Sequence, residues 1–321
     1  MVNTSSTPED AWQAFRRKEF AKATAICNAN LAKDQSLFAK LPIAEIWTLR
    51  AYHQARSGSR DEAYQLLRRL LGFFPEDRIA QQMLLVVEDE IADAKGHVGP
   101  SLGHTGSGRL VLGIGTGRSG STTLSTLLTA QTSARVTHEF PPILRWDRPT
   151  NADTFHFQRF DLLLQRHALA GDVAHWWLPK VPKVIERFPS ARIIALTRDK
   201  RETVESFLKI KGGESKNAIN HWVEHDGTHW KRNHWDVTYP KYKSKSLKEC
   251  IELYWDDYTQ SIHDLAKTYP EHVKGFATEA LSDKDAQHDI LSFVGVDRRD
   301  RVIMPGLHKN RATVADGAKM P

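Results

Sequence analysis

The pattern of apolar and polar positions changes once along the chain. From residue 7 to about 95, apolar residues recur three and four apart, the period of amphipathic helices. Ala11, Trp12, Phe15, Phe20, Ala23 and Cys27 follow that spacing. Thr7-Pro8-Glu9-Asp10 reads as a helix start, with a capping hydroxyl, proline at the first helical position and acids facing the macrodipole. Gly96 to Gly108 holds five glycines and one proline with no apolar period, so 96–108 is predicted to be a linker. After it the period shortens. Leu110 to Ile114 and Arg192 to Thr197 are short buried-strand runs, each followed by a helical pattern, Thr122 to Leu128 and onward through Ile210. Weaker strand runs surround Val136, Val173 and Val273 to Ala277.

Ser246-Leu247-Lys248-Glu249 has the form of a capping box. The stripe behind it, Leu247, Ile251, Tyr254, Tyr258, Ile262 and Leu265, is spaced by three and four and is assigned to the core. Ala286 to Val294 forms a further helical run, and the tail after Pro305 is polar, with Lys309 and Arg311. Strands alternating with helices predict an α/β fold over 109–321, a parallel sheet with helices on both faces, preceded by an all-α region of helical hairpins over 1–95. Within that region Trp47, Ala51, Ala63, Leu67 and Pro75, with Gly58 at the turn, resemble a tetratricopeptide repeat. One good repeat does not make a solenoid, so a helical appendage and a protein-docking array both remain open.

Composition narrows the class. At 321 residues the chain is long enough for about two domains. An apolar fraction of 40% and a charged fraction of 26% exclude collagen and a wholly disordered chain. No apolar run reaches membrane-spanning length, and the polar first ten residues hold no export signal core. Two cysteines, Cys27 and Cys250, exclude a disulfide framework and point to a reducing, cytoplasmic setting. The net charge of +6 calls for an anionic partner.

Gly115-Thr116-Gly117-Arg118-Ser119-Gly120-Ser121-Thr122 lies between a predicted strand and a predicted helix. There, unpaired backbone N–H groups and the helix dipole form an anion site, and glycines let several N–H groups converge on one phosphate. The spacing resembles a P-loop, but Ser121 stands where the lysine that reaches the β- and γ-phosphates belongs. A cation sits inside the loop instead, as Arg118.

After the strand at 192–197 comes Arg198-Asp199-Lys200-Arg201-Glu202-Thr203-Val204-Glu205-Ser206. Together the two segments resemble the sulfotransferases that use 3′-phosphoadenosine 5′-phosphosulfate (PAPS), over roughly residues 109 to 310. The resemblance implies a P-loop-like sulfotransferase fold with PAPS as sulfuryl donor. It implies that Gly117, Arg118, Ser119, Gly120, Ser121 and Thr122 hold the 5′-phosphosulfate, and Arg198 and Ser206 the 3′-phosphate. A strand-end arginine offers a planar fork to phosphate, and a serine eight residues on is two helical turns away. Lys200 departs from the proline usual there, with little effect on the turn. Arg201 is assigned to an ion pair rather than a ligand.

Transfer needs an acceptor hydroxyl in line with sulfur and a group to take its proton. Many members of the family place a carboxylate or histidine after the second strand, where this chain has His138-Glu139; Glu139 is the first choice of base and His138 the second. Arg118 is assigned to the charge developing at the bridging oxygen. Some carbohydrate-acting relatives carry a lysine in the third strand. Val173 supplies no charge in the comparable stretch, which leaves Lys180 as a substitute or as solvated surface.

His221-Trp222-Val223-Glu224-His225 spells a zinc motif, H-x-x-E-H, but Gly227 breaks the helix such a site requires and no third ligand is evident, so no metal is expected. The aromatics Trp222, Trp230, Trp235, Tyr239 and Tyr242, set among bases, suit an acceptor-binding insertion or a packed cover over the sheet. The predicted activity is transfer of a sulfuryl group from PAPS to a hydroxyl of a small-molecule, lipid or carbohydrate acceptor. The alternatives are a P-loop-type kinase or ATPase lacking its lysine, and a docking protein whose sulfotransferase domain is vestigial. Residues 1–108 carry 13 basic and 13 acidic side chains, so the whole excess charge lies with the motifs. That favours a small polyanionic donor over nucleic acid and leaves the neutral helical region for protein contact.

Overall fold

The computed structural model describes residues 6–33, 37, 40–94, 108–212, 219–224, 230, 233–244 and 246–307. The chain divides into two compact units, Met1–Gly96 and His97–Pro321. The sequence expectations for the linker around 96–107, for Lys309 and Arg311, and for His225 and Gly227 lie outside the described residues.

In the first unit the described residues form α1 (Pro8–Arg16), α2 (Phe20–Lys33), α3 (Ile43–Arg56), α4 (Arg60–Phe73) and α5 (Arg78–Ala94). Thr7 caps α1 through a complete capping box with Asp10, and Pro8 follows it as the sequence predicts. The helical run that begins there is broken at Lys18, which adopts φ 62°, so α1 and α2 fold back as a pair. Ala51, Ala63 and Leu67 are fully buried where α3 packs on α4. Trp47 is only partly buried, edge-on to Phe73 and under the Arg69 guanidinium.

The second unit runs β1 (Arg109–Ile114), α6 (Ser121–Thr129), β2 (Ala134–His138), α7 (Asn151–Arg166), β3 (Leu169–Val173), α8 (Val181–Arg187), β4 (Arg192–Thr197), α9 (Lys200–Lys211), α10 (Leu247–Thr268), β5 (Val273–Ala277) and α11 (Lys284–Phe293). The five strands make one parallel sheet in the order β2-β3-β1-β4-β5. Side chains alternate across it with the period of two that a strand imposes. Leu110, Leu112, Ile114, Ile193 and Ala195 pack on one face with α8, α9 and α10 residues such as Val184, Phe207, Ile251 and Tyr254. Val111, Ile194 and Leu196 pack on the other with Leu124, Leu127 and Leu128 of α6 and Ile290 and Leu291 of α11. Burial on both faces explains why β1 and β4 read as continuous apolar runs, whereas β2 and β5, at the sheet edges, are partly exposed and read more weakly. The predicted α/β architecture, with a helical region before it, is the one observed.

Two elements differ from expectation. α7 has no clean apolar stripe, because Asp153, His156 and Arg159 are buried on its inner face beside Phe155 and Phe160. At the start of α10 the capping box is split. Ser246 accepts from the Glu249 amide, but the Ser246 amide donates to Ser244 Oγ, and that same hydroxyl donates to the Glu249 carboxylate.

No helix among the described residues is long and apolar enough to cross a membrane.

Candidate active site

The C-terminal ends of β1, β2, β3 and β4 all meet at one edge of the parallel sheet, where such folds bind ligands. The loop after β1 carries three left-handed residues within four, Gly117 (φ 82°), Arg118 (φ 59°) and Gly120 (φ 86°). Gly117 and Gly120 adopt this conformation without steric cost, whereas Arg118 bears about 1 kcal/mol of strain. The N–H groups of Gly117 to Ser121 find no acceptor among the described residues. With the N-terminus of α6 beginning at Ser121, the loop presents a cradle of backbone donors of the kind that suits an anion.

Buried tyrosines of α10 hold the cradle from behind. The Tyr254 hydroxyl donates to the Thr116 carbonyl at 3.1 Å. The Gly115 amide donates to the Tyr258 hydroxyl at 3.0 Å, and that hydroxyl donates to the His175 carbonyl at 2.9 Å. Both tyrosines were read from sequence as core. They are core, and their polar ends also brace the loop, the usual arrangement for a buried tyrosine.

The two sequence motifs converge. Arg118 Nε donates to Ser206 Oγ at 3.1 Å, and Arg198 Nη1 donates to the Arg118 carbonyl at 3.0 Å. Arg198 also pairs with the exposed Glu202 carboxylate one turn along α9, at 2.9 Å. Burial and then the neighbouring Arg198 act against the Arg118 charge. Two guanidiniums held this close repel each other unless an anion joins them. Lys200 opens α9 and places its ammonium 2.7 Å from both Asp256 oxygens, while Arg201 lies in an exposed pair with Glu205.

His138 and Glu139 part company at the end of β2. His138 Nε2 shares a hydrogen bond with Ser121 Oγ at 2.9 Å. Glu139 is left-handed (φ 48°), which turns its carboxylate away towards His175, with Oε1 4.0 Å from His175 Nδ1. Beneath it lies the fully buried Asp172, whose carboxylate accepts from Thr137 Oγ1, the Phe140 amide and Trp177 Nε1. Burial first, and then the Asp172 charge, push the Glu139 carboxyl up to about 7, against the pull of Lys211 and Arg118. A carboxyl near 7 is poised to exchange protons at neutral pH.

Beyond Glu139 stands an aromatic stack that spacing did not reveal. Tyr239 stacks on His175, at 4.3 Å between ring centroids, and on His221, at 4.9 Å and within 1° of parallel. His221 shares 2.6 Å hydrogen bonds with Asp236 at Nδ1 and with the Lys211 ammonium at Nε2. Burial holds the His221 imidazole down at about 4, so it is neutral at neutral pH. Lys211 closes α9 and is pushed down to about 8, by burial first and then by Arg118, against the pull of Asp236 and Glu139. A lysine at a helix end next to a loop gave no sequence signal beyond its charge.

Other expectations resolve as follows. His221 spends both ring nitrogens on Asp236 and Lys211, and Trp222 and Val223 lie in turn and bend, while His225 of the motif lies outside the described residues. Lys180 is neither a substitute cation nor solvated surface. It is buried, paired with Asp153 at 3.2 Å, and donates to the Arg148 carbonyl. Trp222 is buried core against Phe207 and Tyr254, whereas Trp235 and Tyr239 face His175.

No family model matches the chain, and no curated protein matches it. Among solved structures, the sulfotransferase from Alicyclobacillus acidocaldarius is similar at 14% identity and a TM-score of 0.39, over 64% of this chain and 87% of that one. A likeness that distant has no bearing on chemistry, which rests on the chain's own residues.

Proposed function

We propose that the second unit is a PAPS-dependent sulfotransferase acting on a hydroxyl of a small-molecule, lipid or carbohydrate acceptor. The observation that carries this is the meeting of Arg118, Arg198 and Ser206 beside a cradle of unpartnered amides. One such cradle suits a single phosphate, and the arginine and serine beyond it suit a second phosphate some distance away. The residues therefore fit a donor with phosphates at both ends of a nucleoside, with Glu202 giving up Arg198 to the ligand.

The donor supplies the sulfuryl group. A new bond forms from the acceptor oxygen to sulfur, the bond from sulfur to the 5′-phosphate breaks, and its electron pair stays on the phosphate oxygen. The amides of Gly117 to Thr122 hold the 5′-phosphate as charge grows there, and Arg118 neutralises that charge. Glu139 takes the acceptor proton, its raised pKa matching the task near neutrality. His138, hydrogen-bonded to Ser121, positions the loop rather than the acceptor. His175 and Tyr239 are buried and stacked on each other, and half-buried Trp235 beside His175 is the aromatic surface open to a ring-bearing acceptor. In the helical unit an open apolar cleft lined by Phe15, Phe20, Leu49, Tyr52, Ile79 and Met83 supports a separate, protein-docking role.

Arg198→Ala tests the donor assignment. A charge-assisted hydrogen bond to phosphate is worth about 2 kcal/mol, so adenosine 3′,5′-bisphosphate binding is expected to weaken about 30-fold in calorimetric titration. Adenosine 5′-monophosphate, which lacks the 3′-phosphate, should lose about threefold or less. Equal losses for the two nucleotides contradict the 3′-phosphate assignment.

A further inference from the structure

We propose that Lys211, held in place by the His221–Asp236 pair, is the cation that meets the sulfuryl oxygens of the donor. This rests on the sulfotransferase reading and adds to it a residue that neither motif contains.

The geometry is a chain of contacts across the site. Glu139 lies at one end, 4.0 Å from His175, and His175, Tyr239 and His221 stack in sequence. Lys211 lies at the other end, 2.6 Å from His221 Nε2. Thr238 Oγ1 donates to the Trp235 carbonyl and so accepts from His175 Nε2, which leaves His175 Nδ1 bare on the side of Glu139. At His221 the order reverses. Asp236 accepts from Nδ1–H, so Nε2 carries the lone pair and only a donor such as an ammonium satisfies it. His221 thus fixes where the Lys211 nitrogen sits and consumes one of its three N–H bonds, and the Lys211 ammonium makes no other hydrogen bond among the described residues.

The surroundings explain why a cation is placed there. Lys211 closes α9, the helix whose Ser206 hydroxyl accepts from Arg118 Nε at 3.1 Å, and Arg118 and Glu139 both act on the Lys211 charge. The end of β3 supplies no cation, since Val173 is core and the following residues are Ala174 and His175. Lys180 is committed to Asp153. The arrangement also accounts for His221, the first residue of the zinc-like motif. It is a positioning residue for Lys211.

The test compares two ligands that differ by the sulfuryl group, PAPS and adenosine 3′,5′-bisphosphate, in calorimetric titrations without acceptor. Lys211→Met is expected to weaken PAPS about ten- to a hundredfold, the worth of a hydrogen bond to a charged group, and to leave the bisphosphate within about twofold. Lys211→Arg, which keeps the charge, should recover most of the PAPS affinity. His221→Gln should give the same selective loss at a smaller size, about threefold. If Lys211→Met melts early, Lys211→Gln, which keeps a donor for His221, replaces it. Equal losses for both ligands, or none for either, in a protein whose wild type binds both, overturn the Lys211 role and leave the sulfotransferase reading standing. Wild-type protein that binds neither ligand overturns both.

Discussion

Arg118→Ala is expected to lower sulfuryl transfer about 10²- to 10³-fold, the size of losing one preorganised charge stabiliser at a reacting centre. Three features set this expectation. The side chain is half-buried, its Nε is fixed on Ser206, and its carbonyl is fixed by Arg198, so it presents its remaining guanidinium nitrogens in a defined direction. Preorganisation of this kind is what makes a charge effective in a transition state. Arg118→Lys should recover only part of the loss, because an ammonium has no fork with which to bind Ser206 and the ligand together. Arg118→Gly separates catalysis from folding. It removes about 1 kcal/mol of left-handed strain, so the variant should be as inactive as the alanine protein yet melt no lower. Initial rates with PAPS and melting curves for the three variants check this, and an alanine variant within tenfold of wild type contradicts the role.

Glu139→Gln is expected to remove transfer by about 10²- to 10³-fold, within the range for a general base, and at the same time to stabilise the protein. The two effects share a cause. The folded-state pKa of about 7 lies above the ordinary carboxylate value. Between those values the folded protein keeps a proton that the unfolded chain has released, so stability falls as pH rises through the window, and the cost is complete above about pH 7. The Glu139 side chain keeps about a third of its surface open to solvent, which limits that cost to about 1–2 kcal/mol. The Gln variant should therefore unfold at a higher temperature than wild type at pH 8, and the difference should vanish below about pH 4.5. The wild-type rate should in turn rise with pH through about 7 as the carboxyl ionises. A rate that is flat from pH 6 to 8 removes Glu139 from the role of base.

Much of this site was legible because it is local in sequence. The loop at 115–122 and the Arg198 to Ser206 spacing are each one strand end followed by one helix start, and the strand runs at 110–114 and 192–197 mark where those ends fall. Adjacent residues also named His138 and Glu139, although only the left-handed turn at Glu139 shows that their side chains go to different partners. Lys211, His221 and Asp236 were not legible, because their meeting depends on how the end of α9 packs against the short helical turn at His234–Thr238. Lys180 misled for the converse reason. Its partner Asp153 belongs to α7, the helix whose buried polar residues hide its apolar face. The capping box from Thr150 to Asp153 was the signal that could have found that helix.

The central claim is that the second unit holds a nucleoside phosphorylated at both the 3′ and 5′ positions, and the melting temperature of the wild-type protein tests it most directly. At a hundred times its dissociation constant, adenosine 3′,5′-bisphosphate adds about 2.7 kcal/mol of stability. For a unit of this size that corresponds to a rise of about 5–10 °C. The account predicts such a rise with the bisphosphate and a much smaller one with magnesium ATP at the same concentration. No rise with the bisphosphate, or a larger one with magnesium ATP, contradicts it.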